Sequence, residues 1–167
     1  MKKLNFIDLE ESARSIGARV YLIENNVEVD NFTPLFSLIE KFAPATGDYF
    51  RSLVERLEET DRENKTCDFI AICWPADDEG SLQKALNWAD KNNLKTVSLR
   101  EVIIICKKYL YIYDNLSLDI IKLVSTSPLG ERYFIAQIVA ETNVMIYPEK
   151  EKNMKDGDFW FVFKEVY

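Results

Sequence analysis

The stretch that most constrains the fold runs from Cys67 to Val97, because a strand pattern there gives way to a helix pattern. It opens with a mostly apolar, partly β-branched run that Pro75 ends, which is typical of a strand buried on both faces. The apolar residues that follow repeat at the spacing of one helical face: Leu82, Ala85, Leu86 and Ala89. Asn92 or Asn93 can close that helix in the left-handed conformation, and Thr96-Val97 suits a second strand. The sequence therefore predicts a strand–helix–strand unit over 67–97.

The first 63 residues predict helices packed on this unit. A helix is expected over 8–16, with Gly17 as its natural stop. Strand composition over 18–29, interrupted by Asn25-Asn26, predicts a hairpin. Two more helices are expected, one from the cap Thr33-Pro34 onward and one over 48–63.

The stretch from Ser98 to Val124 allows two interpretations. Its run of β-branched residues at 102–105 favours a strand, whereas Ser98 and Glu101 have the spacing of a capping box. Polar pairs also recur every seven residues from Arg100 on, which lines one helical face. We therefore expect a largely buried helix, followed by a short helix over 118–124.

The C-terminal third has strand character over 133–140, 144–147 and 158–166. The last of these is apolar on both sides, which is typical of a strand that is covered on both faces. We expect an antiparallel meander that continues the central sheet. The predicted fold is mixed α/β, a single layer of mixed sheet carrying the N-terminal helices, with residues 1–167 as one globular domain.

Charge and composition exclude several classes of function. The net charge of −7 disfavours nucleic acid and anionic lipid as partners, because both require clustered Lys and Arg. It is compatible with a basic protein partner, and also with acidity that serves only solubility. The longest apolar runs are too short to span a bilayer, and no N-terminal signal pattern is visible. Three cysteines without a Cys-x-x-Cys pair indicate reduced thiols and a cytoplasmic protein.

The absence of histidine removes most familiar catalytic and metal chemistry. A histidine base, a nucleophile–histidine pair and a histidine-ligated zinc are impossible within this chain. Its five glycines are scattered, so they form no phosphate-binding loop. No catalytic residue, metal site or cofactor is predicted.

Two acidic groups are the candidate binding residues. Asp77, Asp78 and Glu79 follow the central strand, where carboxylates can hold Mg²⁺ or can simply cap the next helix. Trp74 lies beside them and is either an exposed anchor for a protein partner or a core residue. The second group is a helix face that is either a docking surface or only solvated, and it contains Glu55, Glu58, Glu59 and Asp61.

These features predict a non-enzymatic module that binds and neutralises a basic partner protein. The profile is similar in composition to that of intracellular inhibitors, including immunity proteins against toxin nucleases. One alternative is a Mg²⁺-dependent enzyme that combines Asp77 and Asp78 with a remote acid such as Asp30 or Glu101. A second alternative is an acidic secretion chaperone. The sequence leaves the partner and the oligomeric state open.

Overall fold

The structure is a computed structural model that describes residues 5–43, 46–47, 65–75, 78, 80–106, 120–128, 131–139, 143–154 and 159–167. Its helices are α1 (Phe6–Arg14), α2 (Leu35–Phe42), α3 (Leu82–Lys91), α4 (residues 99–106) and a short 3₁₀ helix (Glu151–Asn153). Its strands are β1 (Arg19–Val29), β2 (Lys65–Cys73), β3 (Lys95–Thr96), β4 (Ile120–Ser125), β5 (Tyr133–Val139), β6 (Asn143–Glu149) and β7 (Phe159–Val166). None of the described helices has the length and apolar character needed to cross a bilayer.

The strands of the described residues form one mixed sheet in the order β1-β2-β7-β4-β5-β6, and β3 also pairs with β7. β7 is antiparallel to β2 and parallel to β4. The antiparallel meander consists of β4, β5 and β6, so β7 lies in the centre of the sheet instead of following β6. The predicted mixed α/β class is confirmed.

Helices cover both faces of this sheet. Apolar residues of α2 and α4 join one buried cluster, which includes Trp160 and Val162 of β7. Apolar residues of α1 and α3 join a second cluster, which includes Phe159, Phe161 and Phe163. β7 is therefore apolar on both sides because it is covered on both, as the sequence predicts. Full burial of one such side chain contributes about 1.5–3 kcal/mol.

The N-terminal region confirms one expected element and corrects another. α1 ends before Gly17, which has a positive φ of 75°, as predicted. The expected hairpin over 18–29 is wrong, because those residues form the single continuous strand β1 along β2. Register shifts absorb the two asparagines, and Asn26 has a φ of 54°. The backbone N–H of Asn26 donates to Asp68 of β2, which stabilises the irregularity in place of a turn.

The strand–helix–strand unit is present, with a different residue capping its helix. Ser81 is the N-cap of α3, and its hydroxyl accepts a hydrogen bond from the N–H of Lys84. None of the acids at 77–79 occupies that position, so the capping interpretation of those acids is wrong. Asn93 takes the predicted left-handed conformation, with a φ of 58°. β2 and β3 both pair antiparallel with β7, which lies between them.

The two predictions for the stretch from Ser98 on have opposite outcomes. The helix is confirmed over residues 99–106 as α4, whereas the polar pairs at 107–108 and 114–115 lie outside the described residues. Its capping box is formed: Ser98 N donates to Glu101, and Glu101 N donates to the Ser98 hydroxyl. The short helix expected over 118–124 is wrong, because β4 occupies residues 120–125. There, pairing with β5 and β7 outweighs the local helix signal.

Candidate functional site

Most of the acidic candidates lie outside the described residues. These are Glu55, Glu58, Glu59, Asp61, Asp77 and Glu79, together with the helix expected over 48–63. Trp74 and Asp78 are described, so the structure defines the surroundings of these two candidates.

Trp74 is a core residue and not an exposed anchor. Only 3% of its surface is accessible, and its ring packs edge-on against Phe161 with a centroid separation of 6.1 Å. Its indole N–H donates to the carbonyl oxygen of Ile16 at 3.1 Å. A Cβ at Gly80 would lie 2.6 Å from the ring, so the tryptophan fills this space completely. Trp74 therefore joins the α1–β1 turn to the sheet.

Asp78 is exposed at one end of the sheet, far from one of its two expected partners. One of its carboxylate oxygens lies 3.4 Å from the position of a Cβ on Gly17. Asp30 follows Val29, which pairs with the opposite end of β2. A strand of that length spans roughly 26 Å, so Asp30 and Asp78 cannot share a metal ion.

Glu101, the other expected partner, belongs to a charged pair under α4. It forms an ion pair with Lys164 of β7, on the sheet face opposite α1 and α3. The predicted polar face of α4 is therefore partly buried, with Arg100 and Glu101 only 5% and 6% exposed. Within the described residues, no group of three or more Cys, Asp or Glu side chains could hold a metal ion.

The three cysteines are buried free thiols. Burial raises the pKa of Cys67 to about 11, and that of Cys73 and Cys106 to about 12. A nucleophilic cysteine needs a thiolate near neutral pH. These thiols are therefore protonated and serve as small apolar core residues.

Aromatic and acidic residues lie together at the end of the sheet where β1 and β7 end, a surface we call the acidic end. It comprises Glu28, Asp30, Phe32, Glu165 and Tyr167. Glu28 pairs with Thr66 of β2, and the backbone N–H of Tyr167 donates to the carbonyl oxygen of Thr66, so Glu28 and Tyr167 flank β2 on either side. Phe32 is 67% exposed and Tyr167 is 41% exposed. Local sequence patterns do not reveal this surface, because its residues come from opposite ends of the chain.

Hydrogen bonds hold the backbone of Phe32 and the side chain of Tyr167 at the acidic end. Asp30 accepts bonds from the N–H groups of Phe32 and Thr33 and from the Thr33 hydroxyl. These bonds, led by that of the Thr33 hydroxyl, hold the pKa of Asp30 below its usual value. The Tyr167 hydroxyl donates to the buried carboxylate of Asp68, and also contacts Glu165 at 3.1 Å.

A second surface feature is a cavity of about 320 Å³ between α1 and α3, which we call the helix groove. Its lining residues are Ser12, Ser15, Ile16, Lys84, Asn87, Trp88 and Lys91. The groove carries lysines, whereas the acidic end carries carboxylates. Local sequence patterns do not reveal the helix groove either, because α1 and α3 are far apart in the chain.

The chain matches no protein-family model, and no curated protein or solved structure matches it. Its candidate sites are therefore argued from their own geometry.

Proposed function

We propose that this protein is a cytoplasmic, non-enzymatic module that binds a basic partner protein through the acidic end. The observation that carries the proposal is Phe32, a large aromatic side chain that is 67% exposed on a hydrogen-bonded turn. Aromatic residues that enter a partner's pocket supply much of the binding energy of protein interfaces.

The turn that presents Phe32 is held from two sides. Asp30 binds it from within, and the guanidinium of Arg100 donates to the carbonyl oxygens of Asp30 and Thr33. Arg100 is itself only 5% exposed, so it anchors the turn to α4. A turn whose backbone is held in this way loses little conformational freedom on binding, which favours affinity.

Charge supplies the chemistry expected of the partner. Glu28, Asp30 and Glu165 lie at the same end of the sheet as the two aromatic side chains, and the chain has a net charge of −7. Such a surface attracts a basic partner over a screening length of about 10 Å at moderate salt. An inhibitor of a basic toxin nuclease is the specific form of this function that we favour. Phe32 would then enter an apolar pocket beside Lys or Arg.

The experiment isolates partners from the source organism and measures their affinity for two variants. Phe32→Ala removes the anchor, and we expect binding about 30-fold weaker, as for a residue worth about 2 kcal/mol. Ile7→Ala is the matched control, since Ile7 is 64% exposed on α1 and is not part of the acidic end.

Salt provides an independent measurement on the same complex. We expect the association rate to fall sharply near 1 M salt, where the screening length is roughly 3 Å. A partner that binds wild type and Phe32→Ala equally well would contradict the role of the acidic end. Binding that is indifferent to salt would contradict the basic partner.

A further inference from the structure

The helix groove is built differently from the acidic end, and we propose that it binds a small organic anion with an apolar body. Its volume of about 320 Å³ lies within the range of ligand sites, roughly 300–1,000 Å³. The inference concerns a second site and stands independently of the protein partner.

Hydrogen bonds leave free donors on two polar side chains of the groove, whereas the Ser15 hydroxyl donates to the carbonyl oxygen of Ser12 at 2.6 Å. The Ser12 hydroxyl oxygen accepts from Asn92 at 3.1 Å, so its own proton is left to donate. The Asn87 side-chain carbonyl accepts from Gln83 at 3.0 Å, which leaves the Asn87 amide N–H groups as donors. A lining that is rich in donors suits a ligand that consists of acceptors.

The ammonium group of Lys91 gives the groove its charge. Lys84 and Lys91 both line it, two turns apart on α3, which is about 10 Å along the axis. Among the described residues that line the groove, none carries a carboxylate. A larger cavity of about 570 Å³ mixes Glu131 and Glu149 with basic residues, so its charges offset one another. The helix groove is therefore the stronger candidate for an anion.

The apolar part of the lining sets the shape of the ligand. Ile16 is 40% exposed, and Trp88 is 3% exposed, with its ring edge-on to Phe163 at 6.3 Å. Among the described residues, no group accepts a hydrogen bond from the buried indole N–H of Trp88. A carboxylate seated against Trp88 would supply this acceptor, while an aromatic ring would pack against Ile16.

The first experiment compares benzoate with its neutral isostere benzamide on the ¹⁵N-labelled full chain. We expect benzoate to shift the indole N–H resonance of Trp88, identified by its loss in Trp88→Phe, and benzamide to leave it unchanged. Phenyl phosphate tests whether the site accepts other anionic groups. If no anionic probe shifts this resonance, or if benzamide shifts it equally, the proposal is overturned.

The second experiment removes the charges. We expect Lys84→Met combined with Lys91→Met to weaken benzoate binding at least tenfold. Lys41→Met combined with Lys95→Met changes the net charge equally on two exposed lysines outside the groove, so binding should be retained. If both double variants weaken benzoate binding equally, only the net charge matters, and the proposal of a specific site is overturned.

Discussion

The acidic end and the helix groove are both open to solvent, yet they differ in charge and construction. The acidic end combines carboxylates with exposed aromatic rings at the ends of β1 and β7. The groove combines lysines and hydrogen-bond donors on two helices that cover one face of the sheet. A net charge of −7 therefore describes neither surface adequately. Local arrangement decides which ligands each surface fits.

The two regions also rest on different internal supports. Beneath the acidic end, Asp68 connects the irregular part of β1 to Tyr167. Beside the groove, Trp74 connects the α1–β1 turn to the sheet and leaves no space for a side chain at Gly80. Separate supports mean that each region can be disturbed while the other is preserved.

The largest effect is expected from Asp68→Ala, which affects the acidic end. Asp68 is 6% exposed, and its loss removes the hydrogen bonds that its carboxylate accepts from the N–H of Asn26 and the hydroxyl of Tyr167. We expect the free energy of unfolding to fall by about 3 kcal/mol, as for two hydrogen bonds to one charged group. Urea denaturation measures it. The control is Glu165→Ala at the partly exposed contact, and an equal loss there would contradict the role of Asp68.

Gly80→Ala should disturb the groove side instead. Its Cβ would lie 2.6 Å from the Trp74 ring, so the ring must shift, at a cost of about 2 kcal/mol. Gly47→Ala is the matched control, because no atom lies within 4 Å of its Cβ position. We expect the melting temperature to fall only for Gly80→Ala. The indole resonance of Trp74 should move while the amide signals of the acidic end remain.

A smaller effect should come from pH acting on Asp30. The pKa of Asp30 is lowered in the folded protein, so its contribution to stability is complete above the unfolded value of 3.8. That contribution is lost as the pH falls through the folded pKa. In Asp30→Asn, the free energy of unfolding should therefore fall less steeply below pH 3.8 than in the wild type. Denaturation at several pH values measures this difference. Unchanged pH dependence would show that the turn does not hold this carboxylate.

The smallest effect concerns the thiols. Cys67, Cys73 and Cys106 have raised pKa values in the fold, so iodoacetamide at pH 8 should label the native protein very slowly. Mass spectrometry after unfolding should show three labels, since all three thiols are free. Rapid native labelling of one thiol would show that its region opens more readily than the rest.

Sequence periodicity predicts elements well where local and tertiary preferences agree. The repeat at Leu82, Ala85 and Ala89 predicts α3, because its apolar side also faces the sheet. Sequence periodicity predicts the wrong element where strand pairing in the folded sheet outweighs the local turn or helix preference. Asn25-Asn26 is a turn signal, yet Asp68 on the neighbouring strand accommodates Asn26 within β1. No local pattern around Asn26 reveals that partner.

The candidate surfaces were harder to predict for the same reason. Trp74 stands beside acids in the sequence, but Ile16 and Phe161 bury it. Phe32 and Tyr167 are far apart in sequence and lie at the same end of the sheet only through the pairing of β1, β2 and β7. A surface that depends on strand order cannot be found before the strand order is known.

The central position of β7 has a consequence for folding during synthesis. Its neighbour β2 spans residues 65–73, whereas β7 spans residues 159–166. During synthesis on the ribosome, the edge of β2 that pairs with β7 therefore stays unpaired while more than half of the chain is made. Pairing between segments so distant in sequence is slow. An unpaired apolar edge of this kind attracts other chains, so the nascent protein should depend on chaperones until β7 inserts.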